Sequence, residues 1–226
     1  LDAKKSLATP PVAATAIPWY AVAAVFASGF CGMALETVWT RILVPSFNNS
    51  VYGFASVLFV FLLGLGIGSK IAAALPTLRR PAALAALQIS AGVLAYIGYL
   101  GFEVTQLLQM RFADMAASGV RPIFLGPLLE ALVLMLPVAV VQGMVLPCAC
   151  RTVDGSARTV SRIYFWNTLG AIAGTLATGF WWIPAFSVQN ALLLVMSVSL
   201  FSGGALAYWD APRQAWRWAA PVACGV

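Results

Sequence analysis

IPWYAVAAVFASGFCGMALETVWTRILV, residues 17–44, is one apolar run broken by two charges, Glu36 and Arg41. A helix needs about 20 largely apolar residues to cross the hydrocarbon of a bilayer, and this run supplies them. Working outward, comparable runs recur at about 51–75, 82–102, 122–146, 163–183 and 191–209. The whole chain of 226 residues is 62% hydrophobic and 9% charged, with a mean hydropathy of +0.91, which is the composition of a polytopic membrane protein and not of a soluble domain. The expected fold is therefore all-α: a transmembrane helical bundle of about six spans over residues 17–209, starting at about 18–43.

The segments around the spans carry their own expectations. Residues 1–16, rich in Ala, Pro, Thr and Lys, read as a disordered cytoplasmic lead-in. Residues 103–118 set Gln106, Gln109, Arg111 and Asp114 among leucines and methionine, the pattern of an amphipathic helix lying in the interface. Residues 210–226 read as a cytoplasmic segment or the start of a seventh span, and a chain that begins without methionine and ends inside an apolar stretch reads as part of a longer protein. Trp19 and Tyr20 at one end of the first run and Trp39 at the other have the spacing of interfacial aromatics. Pro127 and Pro137 are expected to kink the fourth span.

Orientation follows from the basic residues. With the N-terminus in the cytoplasm, Lys4, Lys5, Lys70, Arg79, Arg80, Arg151, Arg158, Arg162, Arg213 and Arg217 fall on the cytoplasmic side, and Arg41, Arg111 and Arg121 on the other. That asymmetry matches the positive-inside rule. The net charge of +6 is thus a topology signal, and no nucleic-acid partner is expected; the partner is the lipid bilayer. With no histidine, bis-histidine haem ligation is excluded, and Cys148-Ala-Cys150 alone is a poor metal site, so neither metal nor cofactor is expected.

A charge at a span centre costs roughly 2.5–3.5 kcal/mol on insertion scales, so Glu36, Arg41 and Glu130 are the first candidates for a site. Glu36 and Arg41 are five residues apart, about 140° around a helix, which favours Glu130 as the partner of Arg41. Three readings stay open. The charges are glue between helices, the acids form a proton- or cation-binding site toward the outer face, or the charges contact a partner. A second polar set, Lys70, Gln142, Tyr164 and Asn167, gathers toward the cytoplasmic ends, where Lys70 can also snorkel to the headgroups. Gly64, Gly66 and Gly68 in one span, and Gly170 and Gly174 in another, are expected to serve close helix packing, since a dinucleotide-binding glycine loop would need a preceding strand.

Two stretches carry a resemblance. Ser28-Gly29-Phe30 through Glu36-Thr37-Val38-Trp39-Thr40-Arg41-Ile42-Leu43, followed by Phe61-Leu62-Leu63-Gly64-Leu65-Gly66-Ile67-Gly68-Ser69, resembles the membrane region of spermidine-synthase-like membrane proteins, the fused major-facilitator/spermidine-synthase family. Gly143 to Pro147, and Arg162-Ile163-Tyr164 with Asn167-Thr168-Leu169-Gly170-Ala171 and Gly174, look like further segments of that family; Leu35 stands where it usually has tyrosine, and Trp166 where a small residue is usual. The resemblance implies a bacterial inner-membrane module that is followed in such proteins by a cytoplasmic aminopropyltransferase-type domain. Three functions are expected from this reading: a non-catalytic membrane anchor or accessory subunit of a larger membrane assembly, a transporter-like module for a small cation or polyamine using the carboxylates, or the membrane part of a bifunctional enzyme whose catalytic domain lies elsewhere.

Overall fold

The computed structural model describes residues 17–43, 51–75, 80–116, 122–153 and 156–223, with side chains described except at 52, 103–127 and 210–223. The expected lead-in at 1–16 lies outside them. Among the described residues the chain is helical throughout: α1 Trp19–Leu43, α2 Val51–Ala74, α3 Pro81–Ala116, α4 Pro122–Leu134, α5 Leu136–Thr152, α6 Ala157–Leu176, a π-helical segment Ala177–Trp182, and α7 Ile183–Ala223. Four stretches are long and apolar enough to cross a membrane, Trp19–Leu43, Gly53–Ala74, Pro81–Phe102 and Ala157–Trp209, and a fifth is the bent pair Leu128–Leu134 with Leu136–Thr152. Several long apolar helices of this kind mark an integral membrane protein.

Glycines decide how the helices meet. On α1 and α6, a Cβ added at Gly29 would lie 2.1 Å from the Asn167 carbonyl oxygen, one at Gly170 2.1 Å from that of Phe26, and one at Gly174 2.2 Å from that of Phe30. Only hydrogen fits in those gaps, so the two backbones touch, as small residues allow when lipid supplies no hydrophobic drive for helix association. Helices α2 and α5 meet in the same way: a Cβ at Gly68 would fall 2.0 Å from the Val140 oxygen and one at Gly143 2.4 Å from that of Leu65. The third close pair is α3 with α7, where Gly92 faces Leu200 and Gly203 faces Ile89.

These contacts also give helix directions. Residue numbers rise together along α1 and α6, from Phe26 beside Gly170 to Thr37 beside Gly179, so these helices are parallel. Along α7 they fall: the Cys31 thiol donates to the Val195 carbonyl, and the Trp19 ring meets that of Trp209 with centroids 5.0 Å apart. The chain therefore reverses inside the long Ala157–Trp209 stretch. It does so at Ser187, whose φ of 73° and ψ of 164° make it the sole non-glycine residue with positive φ among the described residues.

Three sequence expectations need correction, and a fourth is met. Residues 103–116 are a direct continuation of α3 and not a separate helix, because the segment has no proline and is rich in helix-forming Leu, Gln, Met and Ala. The kink expected at Pro137 is present: the fourth span bends by 50° at Met135, where Pro137 stands in the first turn of the next helix without needing an amide hydrogen, and Pro127 lies inside α4. No loop separates the last two passes, since only Ser187 leaves helical geometry. Trp39 is no interfacial aromatic: it is 1% exposed in a core with Leu43, Val60, Met135 and Leu192, and Gly98 of α3 packs against its ring.

Candidate functional site between four helices

The polar residues of α1, α2, α5 and α6 converge on a cavity of about 230 Å³. Its polar lining is Ser28, Ser69, Gln142, Tyr164 and Asn167, and its apolar walls include Met33, Phe61, Leu65 and Leu146. The glycine contacts create it. By drawing α1 onto α6 and α2 onto α5, they leave a gap between the two close pairs where larger side chains cannot fill the space.

Gln142 is the centre of this site. Its side chain is buried, the Ser28 hydroxyl donates to its Oε1 at 3.3 Å, and its Nε2 has no hydrogen-bond partner among the described residues. An amide NH₂ offers two donors, and leaving a buried donor unpaired costs about 1–3 kcal/mol. Ser69 donates to the Gly143 carbonyl at 3.2 Å, tying α2 to α5 beside the cavity. Asn167 is half-buried where α6 touches Gly29, and Tyr164, 54% exposed, stands at the edge.

Gln142 also borders a second, smaller cavity of about 10 Å³, lined by Glu36 and Trp39 among others. That is space for about one water molecule. The Trp39 Nε1, like the Gln142 Nε2, is buried without a hydrogen-bond partner. Gln142 of α5 thus borders both cavities, with Glu36 on the smaller and Ser28 on the larger.

The structure sorts the sequence candidates. Gln142, Tyr164 and Asn167 come together, whereas Lys70 is exposed and lines neither cavity. Glu36 is half-buried on the small cavity; Glu130 is buried on α4 and lines neither. Arg41 is exposed at the end of α1, whereas Glu130 is buried on α4. Gly64, Gly68, Gly170 and Gly174 sit at backbone contacts, but a Cβ at Gly66 would meet nothing within 4 Å, because it lies half a turn away from the face shared by Gly64 and Gly68.

Several polar residues were not among the site residues expected from the sequence. Ser28 and Ser69 are short side chains in apolar runs and usually satisfy themselves on their own helix. Gln88 of α3 is fully buried, donating to the Ala24 carbonyl at 3.0 Å, while Ser199 of α7 donates to the Gln88 carbonyl at 2.8 Å. Arg151, counted only as a topology signal, reaches across to the Ala72 and Ala73 carbonyls at the end of α2. Comparison with family models, curated proteins and solved structures gives no match.

Proposed function

We propose that this chain is a non-catalytic integral membrane module, six passes with a cytoplasmic N-terminus, that anchors or accompanies the other subunits of a larger assembly in a bacterial inner membrane. The observation that carries the reading is what the buried polar groups do. Ser28 bonds Gln142, Gln88 bonds Ala24, Ser199 bonds Gln88 and Ser69 bonds Gly143, each joining one helix to another. Polar groups spent on fastening helices, together with three glycine-lined helix pairs, describe a rigid scaffold. The alternating helix directions support six passes, and they bring Arg151 to the end of α2 and thus toward the end of the bundle where α3 and α6 begin with Arg80 and Arg158. The likeness of the Glu36 to Arg41 and Gly64 to Ser69 segments to spermidine-synthase-like membrane proteins supports a module that works beside a separate cytoplasmic domain.

The test is purification from native membranes in mild detergent, with mass analysis of the intact particle. Stoichiometric co-purification with other membrane subunits or with a cytoplasmic enzyme domain is expected; a monodisperse lone chain overturns the reading.

The place of Glu36 on the small cavity favours a second reading, a carrier of a small organic cation such as a polyamine. A carboxylate replaces the water a cation loses on entering the membrane. Uptake of labelled spermidine into proteoliposomes checks it: flux that Glu36→Gln removes supports a carrier, and equal flux in wild type and variant rules it out.

A further inference from the structure

The larger cavity offers more than scaffold geometry, and it does so independently of what the module accompanies. Its lining residues are all uncharged, so it has no group to compensate an ion brought out of water. The walls are those of an apolar binding site, with Met33, Phe61, Leu65 and Leu146 among them and backbone-packed helices holding the shape. Gln142 lines this space, and no described residue accepts its amide hydrogens, although the residue is only 7% exposed. The oxygen of the same amide already accepts from the Ser28 hydroxyl, which leaves the NH₂ as the unpaired part of the side chain. Asn167 adds a second amide on the lining of the same cavity.

We infer that this cavity binds a small, uncharged, membrane-dissolved molecule that presents a carbonyl or hydroxyl oxygen to the Gln142 amide and an apolar body to the Met33 and Leu65 side. Such a ligand satisfies the buried donor, and its apolar part replaces lipid-like contacts at little cost. A cation has no counter-charge there, and an anion would be stripped of water against a mostly apolar wall. Glu36 borders only the neighbouring small cavity, so this site and a cation site are chemically distinct.

Benzophenone, a compact neutral ketone that inserts into nearby C–H bonds under light, is a direct probe. The full chain in nanodiscs is photolabelled and the modified residues are mapped by mass spectrometry, with benzhydrol, which has a hydroxyl, and diphenylmethane, which has no oxygen, as competitors. Labels concentrated on Met33 and Leu65 are expected, with benzhydrol displacing them roughly three- to tenfold more effectively than diphenylmethane. In Gln142→Leu that difference between competitors should vanish while labelling through the apolar walls persists. The inference is overturned if label spreads evenly over exposed residues such as Phe180 and Phe201, or if the two competitors act equally on the wild-type protein. That comparison on the unaltered protein decides the matter even should Gln142→Leu fail to fold.

Discussion

Gly170 of α6 lies so close to Phe26 of α1 that a methyl group on it would sit 2.1 Å from the Phe26 carbonyl oxygen, far inside van der Waals contact. The obstacle is backbone, so no rotamer change relieves it. Gly170→Ala is expected to force α1 and α6 apart and to lower stability by about 3 kcal/mol, the upper range for overpacking. Gly66→Ala is the matched control. Nothing lies within 4 Å of its added Cβ, and replacing a mid-helix glycine there should raise stability by about 0.5–1 kcal/mol. Reversible unfolding by sodium dodecyl sulfate in mixed micelles reads both; equal effects of opposite expectation, or a neutral Gly170→Ala, would contradict the packing described.

The contrast between those glycines shows how much of the fold was legible. The first two apolar runs, 18–43 and 51–75, mark α1 and α2 almost to the residue, because the sequence between them turns polar at Asn48-Asn49-Ser50. The class of the fold came from composition alone. Helix faces were also accessible in principle: Gly64 and Gly68 are four apart and share a side, while Gly66 cannot. What periodicity could not supply is the rotation of each helix against its neighbours. That rotation decides that Trp39 is core and Arg41 outward, and that Ser28 finds Gln142 over a separation of 114 residues. In the candidate site, Gln142, Tyr164 and Asn167 stood out as polar residues in spans, but the cavity joining them exists only through backbone contacts that no single span announces.

Arg151 closes the end of α2. Its guanidinium donates to the Ala72 and Ala73 carbonyls, groups that a helix C-terminus leaves without intrahelical partners and that carry its negative dipole end. Arg151→Gln should therefore lower stability by about 1–2 kcal/mol, since hydrogen bonds from a charged donor exceed neutral ones but this side chain is only half-buried. Arg151→Lys, keeping the charge but not the planar fork, should fall between. Amide exchange gives a local check: protection in the last turn of α2 is expected to drop in Arg151→Gln, and unchanged protection would mean that the contact does not hold that end.

Gln88 poses a question of sign. Its Nε2 bonds the Ala24 carbonyl, a contact worth about 0.6 kcal/mol on average between membrane helices. Its Oε1, however, is buried with no hydrogen-bond partner among the described residues, which costs about 1–3 kcal/mol. The second quantity is the larger. Gln88→Met, similar in length and fully apolar, is expected to leave stability unchanged or to raise it by up to about 1 kcal/mol, whereas Gln88→Ala opens a cavity and should lower it by about 2 kcal/mol. Thermal unfolding of the three proteins in one detergent separates these outcomes, and a strongly destabilised Gln88→Met would show that the Ala24 contact dominates.

Ser187 turns the chain from the α6 direction into that of α7 with a backbone conformation that is essentially confined to glycine, which costs a side-chain-bearing residue of order 1–3 kcal/mol. The side chain is exposed, so nothing in its surroundings compensates through packing. Ser187→Gly removes the clash with its own backbone but adds freedom to the unfolded chain worth about 0.5–1 kcal/mol, leaving a net gain expected near 1 kcal/mol. Ser187→Val, branched at Cβ, should lose at least about 1 kcal/mol, because it keeps the strain and adds crowding at χ1. The ordering Gly above Ser above Val in denaturant midpoint is therefore the signature of a true reversal at this residue. If α6 and α7 instead formed one continuous helix, glycine would be the worst of the three, so the ranking alone distinguishes two antiparallel passes from a single long one.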